Sequence, residues 1–317
     1  MGSSKRPLIL FATSFFGQPV EVDASRCGDA CEFTNDRNRV AEAAAVVFHI
    51  PSLHEVPWAK KYPGQLWVAW SMESVANFRQ LVDPVFLANF DLRMTYELSA
   101  DAWCPYLPYP EQWEQALATP IAPKTAAATA VMFQSAALND SGRNEFASEL
   151  MSLIQVDSFG RFLNNRRLEV PDEGGKTKLA VISAYNFCLG LENSICTDYV
   201  TEKFYDPFLA GTVPVYRGAP NIDDFAPGPH SYINADDFAG PRELAEYLNH
   251  LTEDDAAYQE YFAWRKQGLS PRFRELLQRR GHEPFCSLAA LVAARQQAWR
   301  PPGLLQRMRA PSIDLTL

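Results

Sequence analysis

One stretch constrains what this chain can fold into more than any other: Tyr185 to Pro220, YNFCLGLENSICTDYVTEKFYDPFLAGTVPVYRGAP. It reads as a short apolar strand, a polar loop, a helix, a glycine stop and a second apolar strand. Thr201 suits the N-cap, because its hydroxyl can accept a hydrogen bond from an orphan amide of the first turn. Phe204 and Phe208, about one helical turn apart, give the helix a buried side. Gly211 ends it in a left-handed C′ position, and the VPVY that follows reads as a buried strand. Glu192, Glu202 and Lys203 stand at the junctions between these pieces. Open α/β sheets bind ligands at such junctions, where carboxyl ends of strands meet helix N-termini. A helix N-terminus carries roughly half a positive charge and prefers an acid beside it, so a lysine in that first turn is not there for the dipole. Lys203 is therefore a candidate phosphate ligand; the alternative is a solvated lysine on a surface helix. Neither G-x-G-x-x-G nor a Walker pattern is present.

The rest of the chain reads as two α/β halves. Apolar β-type runs at Leu8–Thr13, Ala45–Ile50, Leu66–Trp70 and Met94–Tyr96 alternate with looser helical stretches. A region dense in proline and turn residues follows, and a domain boundary is expected near 115–126. Beyond it the pattern predicts a strand at Ala128–Gln134 and a helix at Gly142–Leu153. Further strands are predicted at Ile154–Phe159, Lys178–Ser183 and Cys188–Leu191. Alternating strands and helices imply parallel sheets, and two such domains in tandem put a cleft between them. The expected division is 1–120, 121–285 and a C-terminal helix with a basic tail, 286–317. With 47% hydrophobic residues among 317, the chain can fill two cores.

Charge and cysteine usage narrow the function. A formal net charge of -9 argues against nucleic-acid binding. From Arg265 to Arg309, however, ten Lys or Arg face only two acids, Glu275 and Glu283. With Leu304, Leu305 and Met308, that segment could lie on an anionic membrane surface; a solvated helix and tail is the alternative. No run of 18 apolar residues is present to span a membrane. Six cysteines in so long a chain do not make a disulfide scaffold. Cys27 and Cys31 are close enough to pair in an oxidising compartment, and Cys188 and Cys196 flank the E-N-S loop. There is no C-x-x-C and the five histidines are scattered, which makes a zinc site improbable.

ENSxxxDYVTEKFY and LAGTVPVxxGAPN, followed by PRELAEYLNHL (241–251) and AYQEYFAWR (257–265), resemble the α1,3-fucosyltransferases of glycosyltransferase family 10. VVFHI (46–50) and WVAWSMES (67–74) resemble the family's apolar strand and E-S-P motif. SGRNEFASEL (141–150) resembles its S-x-R motif, and VDSFGR (156–161) its D-x-Y-G-R turn. The spacing from Lys203 to Gly211, with GTVPV and GAPNI, is closest to the plant-type core enzymes and protein-modifying members. Lewis-type vertebrate enzymes are a poorer match on these motifs. Several positions depart from the family pattern: Val75 replaces the proline of E-S-P, Ser135-Ala136-Ala137 replaces S-N-C, Asn186 replaces a lysine, and Cys286 is what remains of a C-terminal C-x-x-C.

The resemblance implies an α/β fold of two Rossmann-like domains facing a cleft, the glycosyltransferase GT-B architecture. The C-terminal half would hold GDP-β-L-fucose and the N-terminal half an oligosaccharide or glycoconjugate acceptor. The implied reaction is inverting, by one displacement at the anomeric carbon. Such chemistry needs a carboxylate to take the acceptor's proton and cations to stabilise the departing diphosphate. Glu73, in the E-S motif, is the implied base. Arg143, of S-x-R, would grip the diphosphate with its fork, and Lys203 would add a second charge. Glu202 would accept hydrogen bonds from ribose hydroxyls, or cap the helix. Asn193 and Tyr199 would hold the nucleoside or fucose, or brace the loop, with Glu192, Tyr185 and Tyr216 as possible supports. No D-x-D occurs, so neither a divalent metal nor another cofactor is expected. An acceptor serine or threonine in a protein, another GDP-sugar, or an idle glycan-binding relative are the alternatives. A cytoplasmic enzyme peripheral to the membrane is the expected location, with a Golgi-lumenal enzyme lacking its anchor here as the alternative.

Overall fold

Parallel strands covered on both faces read as near-continuous apolar runs, and the central strands of this protein do so up to polar residues at their carboxyl ends. The computed structural model describes residues 6–28, 30–56, 58–298 and 312–314. They form two units, one ending at Pro105 and resuming at His282, the other running from Tyr106 to Gly281.

In the first unit the strands are β1 (Leu8–Phe11), β2 (Glu32–Thr34), β3 (Ala45–His49), β4 (Trp58–Lys60), β5 (Leu66–Ser71), β6 (Leu92–Thr95) and β7 (Ala102–Trp103). All but β4 join one sheet in the order β2-β1-β3-β5-β6-β7, and every pairing in it is parallel. β4 pairs instead with Ser312–Asp314, antiparallel. Alternate residues feed opposite cores. Ile9, Phe11, Val47, Val68 and Trp70 pack on one face with Leu288, Ala289 and Val292 of helix Pro284–Ala298. Leu8, Leu10, Val46, Phe48, Trp67 and Ala69 fill the other. The C-terminal helix is therefore a layer of the first unit, not a separate appendage.

That layer decides against the Cys27–Cys31 bond that their spacing allows. Cys27 is bonded to Cys286, 259 residues away, because the turn Ala24–Cys27 packs on the returning helix. Cys31 points into the core, its Sγ 3.4 Å from the carbonyl of Ala289, and burial pushes its thiol up to about 11.

The second unit has β8 (Ala130–Met132), β9 (Val156–Ser158), β10 (Phe187–Leu191), β11 (Val213–Arg217) and β12 (Ile233–Asn234), in the order β12-β11-β10-β8-β9 and parallel throughout. Helix Arg143–Leu153 crosses from β8 to β9, and helix Glu202–Leu209 from β10 to β11. Lys178–Ser183, expected as a strand, lies in helix Gly175–Ser183. A parallel step from β9 to β10 needs a crossover helix, and a short apolar run cannot by its pattern distinguish the two. The division between units also falls earlier than 115–126. Trp113, on helix Pro110–Ala118, meets Phe208 at 5.8 Å and Phe273 at 4.7 Å between ring centres, which ties this helix to the second unit. Leu304, Leu305 and Met308 lie outside the described residues.

Candidate active site

β10 leaves its sheet at Leu191, and the next residue is the fully buried Glu192. One carboxylate oxygen accepts the Thr201 N–H at 2.8 Å and the other its hydroxyl at 2.9 Å. Thr201 is the N-cap the sequence indicates: its hydroxyl accepts the Lys203 N–H at 3.4 Å. Gly211 closes the same helix with φ +69°. Lys203 Nζ donates to Thr201 Oγ1 at 3.0 Å and to Glu202 at 3.2 Å, and lies 3.5 Å from Glu192. A second, half-buried pair backs this group: Lys178 is 2.7 Å from Asp206 and 4.0 Å from Glu202. An unpaired carboxylate as deep as Glu192 would be very costly; here Thr201 and Lys203 supply its partners.

The electrostatics follow from burial set against pairing. Burial pushes the Glu192 carboxyl up, and Lys203 and the Thr201 hydrogen bonds pull against it. Burial by itself would lower the Lys203 ammonium, but Glu192 and Glu202 outweigh it and hold it above its usual range. Lys203 is thus a firmly protonated cation in the first turn of a helix, with about one fifth of its side chain exposed. Glu202 is more open and is held below its usual range: burial raises it, and Lys203 and Lys178 more than compensate.

The S-x-R segment braces this group from behind. Ser141 donates its hydroxyl to the Glu192 carbonyl at 2.6 Å and its N–H to the Asn193 carbonyl at 3.1 Å. Arg143 was expected to present its fork to a diphosphate. Instead its side chain is turned inward and 1% exposed, with Nε, Nη1 and Nη2 donating to the carbonyls of Leu138, Leu191 and Ala136 at 3.2, 3.0 and 2.9 Å. It remains in the field of Glu192, Tyr199 and Glu202, which oppose the lowering of its pKa by burial.

Asn193 is buried, its Oδ1 accepting the Ser194 hydroxyl at 3.1 Å. The Tyr199 carbonyl accepts the Tyr216 hydroxyl at 3.3 Å, and that hydroxyl accepts the Ala219 N–H at 3.0 Å. Gly218 is required here, because a Cβ would stand 2.6 Å from Glu192 Cγ. Gly190 likewise lets β10 approach the helix start, where a Cβ would meet the Lys203 carbonyl at 2.7 Å. Glu192, Asn193, Tyr199, Glu202, Lys203 and Tyr216 are therefore brought together. Tyr185 is not: it precedes β10, roughly 20 Å along the strand from Glu192, and donates to Asp157 at 2.8 Å. Sequence reasoning missed Ser141, Lys178 and Asp206. An acid pair one turn apart, Glu202 and Asp206, was the available signal that a partner cation must come from elsewhere.

Glu73 lies in the first unit, two residues past the end of β5, so it too stands at a carboxyl edge. Ser71 Oγ accepts its N–H at 3.1 Å and donates to its carbonyl at 3.3 Å, fixing the backbone of the turn. Val75, in place of the proline, donates its N–H to the Tyr96 hydroxyl at 3.3 Å. The same edge carries Thr13, His49 and Thr95. Among the described residues one cluster has metal-ligand chemistry, Cys27, Glu283 and Cys286. Both of its sulfurs are spent on the disulfide.

Two parallel-sheet α/β units in one chain are the GT-B-like architecture of glycosyltransferases. The profile described as "Fucosyltransferase, N-terminal" matches residues 4–107, and "Glycosyltransferase family 10 (fucosyltransferase) C-term" matches residues 122–304. The chain belongs to glycosyltransferase family 10, the fucosyltransferases. A Bos taurus relative, 3-galactosyl-N-acetylglucosaminide 4-alpha-L-fucosyltransferase, is 36% identical over 85% of this chain and 74% of its own. The Homo sapiens 4-galactosyl-N-acetylglucosaminide 3-alpha-L-fucosyltransferase is 34% identical over 84% of this chain and 74% of its own. GDP-fucose protein O-fucosyltransferase 3 of Homo sapiens is 30% identical over 83% of this chain, which spans 58% of that relative's length. The Canis lupus familiaris GDP-fucose protein O-fucosyltransferase 3 is 41% identical, but over 40% of this chain, so both kinds of relative match. An α1,3-fucosyltransferase crystallised with GDP-fucose shares the fold, with a TM-score of 0.57 at 17% identity over 88% of this chain and 91% of that one.

Proposed function

We propose that the protein is an inverting, metal-independent α1,3-fucosyltransferase that moves L-fucose from GDP-β-L-fucose to a hydroxyl of a GlcNAc-containing glycan. The observation that carries this reading is that one family member holds both a loop carboxylate at the carboxyl edge of its first sheet and the Glu192–Thr201–Lys203 array at that of its second. In this reading Glu73 takes the proton of the acceptor hydroxyl as its oxygen attacks the anomeric carbon. The bond from that carbon to the diphosphate breaks, and GDP leaves with the electron pair. Lys203 exchanges Glu202 and Thr201 for a phosphate oxygen, which frees the Glu202 carboxylate to pair with ribose hydroxyls. Asn193 and Tyr199 line the donor loop, and Arg143 acts by holding that loop to the end of β10. The first unit takes the acceptor and the second the donor.

A protein serine or threonine as acceptor is the second reading, favoured by the relationship to a protein O-fucosyltransferase. Incubation with GDP-fucose and matched glycan and folded-protein acceptors, read by mass spectrometry, separates the two. Absence of transfer to either, with no thermal shift by GDP-fucose, would sink both. The Cys27–Cys286 bond favours an oxidising, lumenal compartment over the cytoplasm. No helix among the described residues is long and apolar enough to cross a membrane. Contact of the basic tail with an anionic membrane is a separate proposal, tested by vesicle binding with and without the residues after Pro301.

A further inference from the structure

The first unit carries an exposed aromatic surface that the proposed chemistry does not use. After β1 the chain makes a tight turn in which Phe15 and Gln18 exchange backbone hydrogen bonds at 2.8 and 3.1 Å. Its two central residues, Phe16 and Gly17, have φ of +49° and +86°. Glycine adopts that conformation freely, whereas a bulky residue there is a true outlier that its surroundings must impose. The surroundings do so. Phe16 N–H donates to Ser52 Oγ at 3.2 Å, and Gly17 N–H to Ser14 Oγ at 2.7 Å. Ser14 is tied by its N–H at 3.0 Å, and by its hydroxyl, to Glu55, which Arg37 holds at 2.8 Å.

This fixed turn holds Phe16 55% and Phe15 36% exposed. Beneath them Phe15 stacks on Trp70 at 5.2 Å, and both phenylalanines contact the His49 ring at 4.8 Å. Trp70 Nε1 and His49 Nε2 are buried there without a hydrogen-bond partner. The floor is therefore a rigid, neutral, aromatic stack. Its position matters as much as its chemistry. β1 and β5 flank β3 in one parallel sheet, so the Phe16 turn and Glu73 leave the same edge roughly 10 Å apart, about the span of two linked sugar rings.

We infer that Phe15 and Phe16 form a platform for a second sugar of the acceptor, the unit next to the one whose hydroxyl faces Glu73. Aromatic faces are electron-rich and attract the polarised C–H face of a pyranose, and the charges nearest the turn, Glu55 and Arg37, are spent on each other. The inference rests on the glycan-acceptor reading above, and its test keeps the two apart.

The test uses Phe16→Ala and Phe16→Asn in the full disulfide-bonded chain, with N-acetyllactosamine and free GlcNAc as probes. Platform stacking predicts a KM for N-acetyllactosamine raised about tenfold, with the KM values for GlcNAc and GDP-fucose unchanged. Phe16→Asn should keep or raise the Tm, because asparagine tolerates the left-handed conformation. Equal changes for both acceptors, or none, would overturn the platform. Saturation-transfer NMR of N-acetyllactosamine without donor makes the separation: loss of contact in both variants supports the platform even if transfer fails, and unchanged contact refutes it even if transfer succeeds.

Discussion

The two carboxyl edges solve opposite problems. The edge of the second unit is built from charge. Glu192, Glu202 and Asp206 are matched by Lys203 and Lys178, with Arg143 close by, and each acid has a basic partner within 4 Å. The edge of the first unit puts aromatic rings around a buried neutral histidine, with the Arg37–Glu55 ion pair holding the turn and Glu73 three residues after Trp70. A diphosphate brings concentrated charge and needs prearranged partners that exchange one anion for another. A sugar hydroxyl brings none, so one carboxylate and an apolar surface suffice. In the proposed reading, donor and acceptor are divided by the kind of side chain each edge uses.

The largest effect expected from breaking this contrast comes from Glu73; the other acids of that edge, Glu55 and Glu97, are each paired with an arginine. Glu73→Gln should lower kcat by about 10² to 10⁴ while GDP-fucose KM stays put; full activity would place the base elsewhere. Next is Arg143→Lys. It removes two or more bonds to buried carbonyls, each worth about 1–3 kcal/mol when left unmade, so thermal unfolding should show a loss of about 3 kcal/mol. A rise in GDP-fucose KM at unchanged Tm would instead restore the arginine to the phosphate. Lys203→Ala should weaken GDP-fucose by about 10- to 50-fold, the worth of a charge-assisted hydrogen bond, with acceptor KM unaffected; isothermal titration reads this directly.

The smallest effect separates the edges by pH. Burial lowers His49 from 6.5 to about 4, so the unfolded chain binds the proton first as pH falls. Its contribution is complete above pH 6.5 and is lost on acidification, by about 2 kcal/mol at pH 5. His49→Gln should flatten that part of the stability profile. An unchanged profile would mean that the ring is not held neutral by the aromatic floor.

Much of the charged edge was legible because it is local. Thr201, Phe204, Phe208 and Gly211 lie within one strand–helix–strand unit, and capping, periodicity and the left-handed stop each act over a few residues. The misreadings all concern partners far apart in sequence. Cys27 found Cys286 rather than Cys31 because a helix more than 250 residues later returns to the first sheet. Lys178–Ser183 became a helix because β9 and β10 are parallel, a relation that no property of those six residues contains. Helix Pro110–Ala118 joined the second unit because Trp113 found rings at positions 208 and 273.

By itself the sequence determined the class of fold, the family and the place of the cation-bearing helix start, since all three rest on contiguous residues. Tertiary structure alone decided that Arg143 faces inward to carbonyls, that Lys178 completes the charge balance, and that Phe16 is held at positive φ above His49 and Trp70. The physical reason is common to them. A buried charge or an unpaired carbonyl takes the partner that packing brings within about 3 Å, and which residue that is depends on how distant strands are ordered in the sheet.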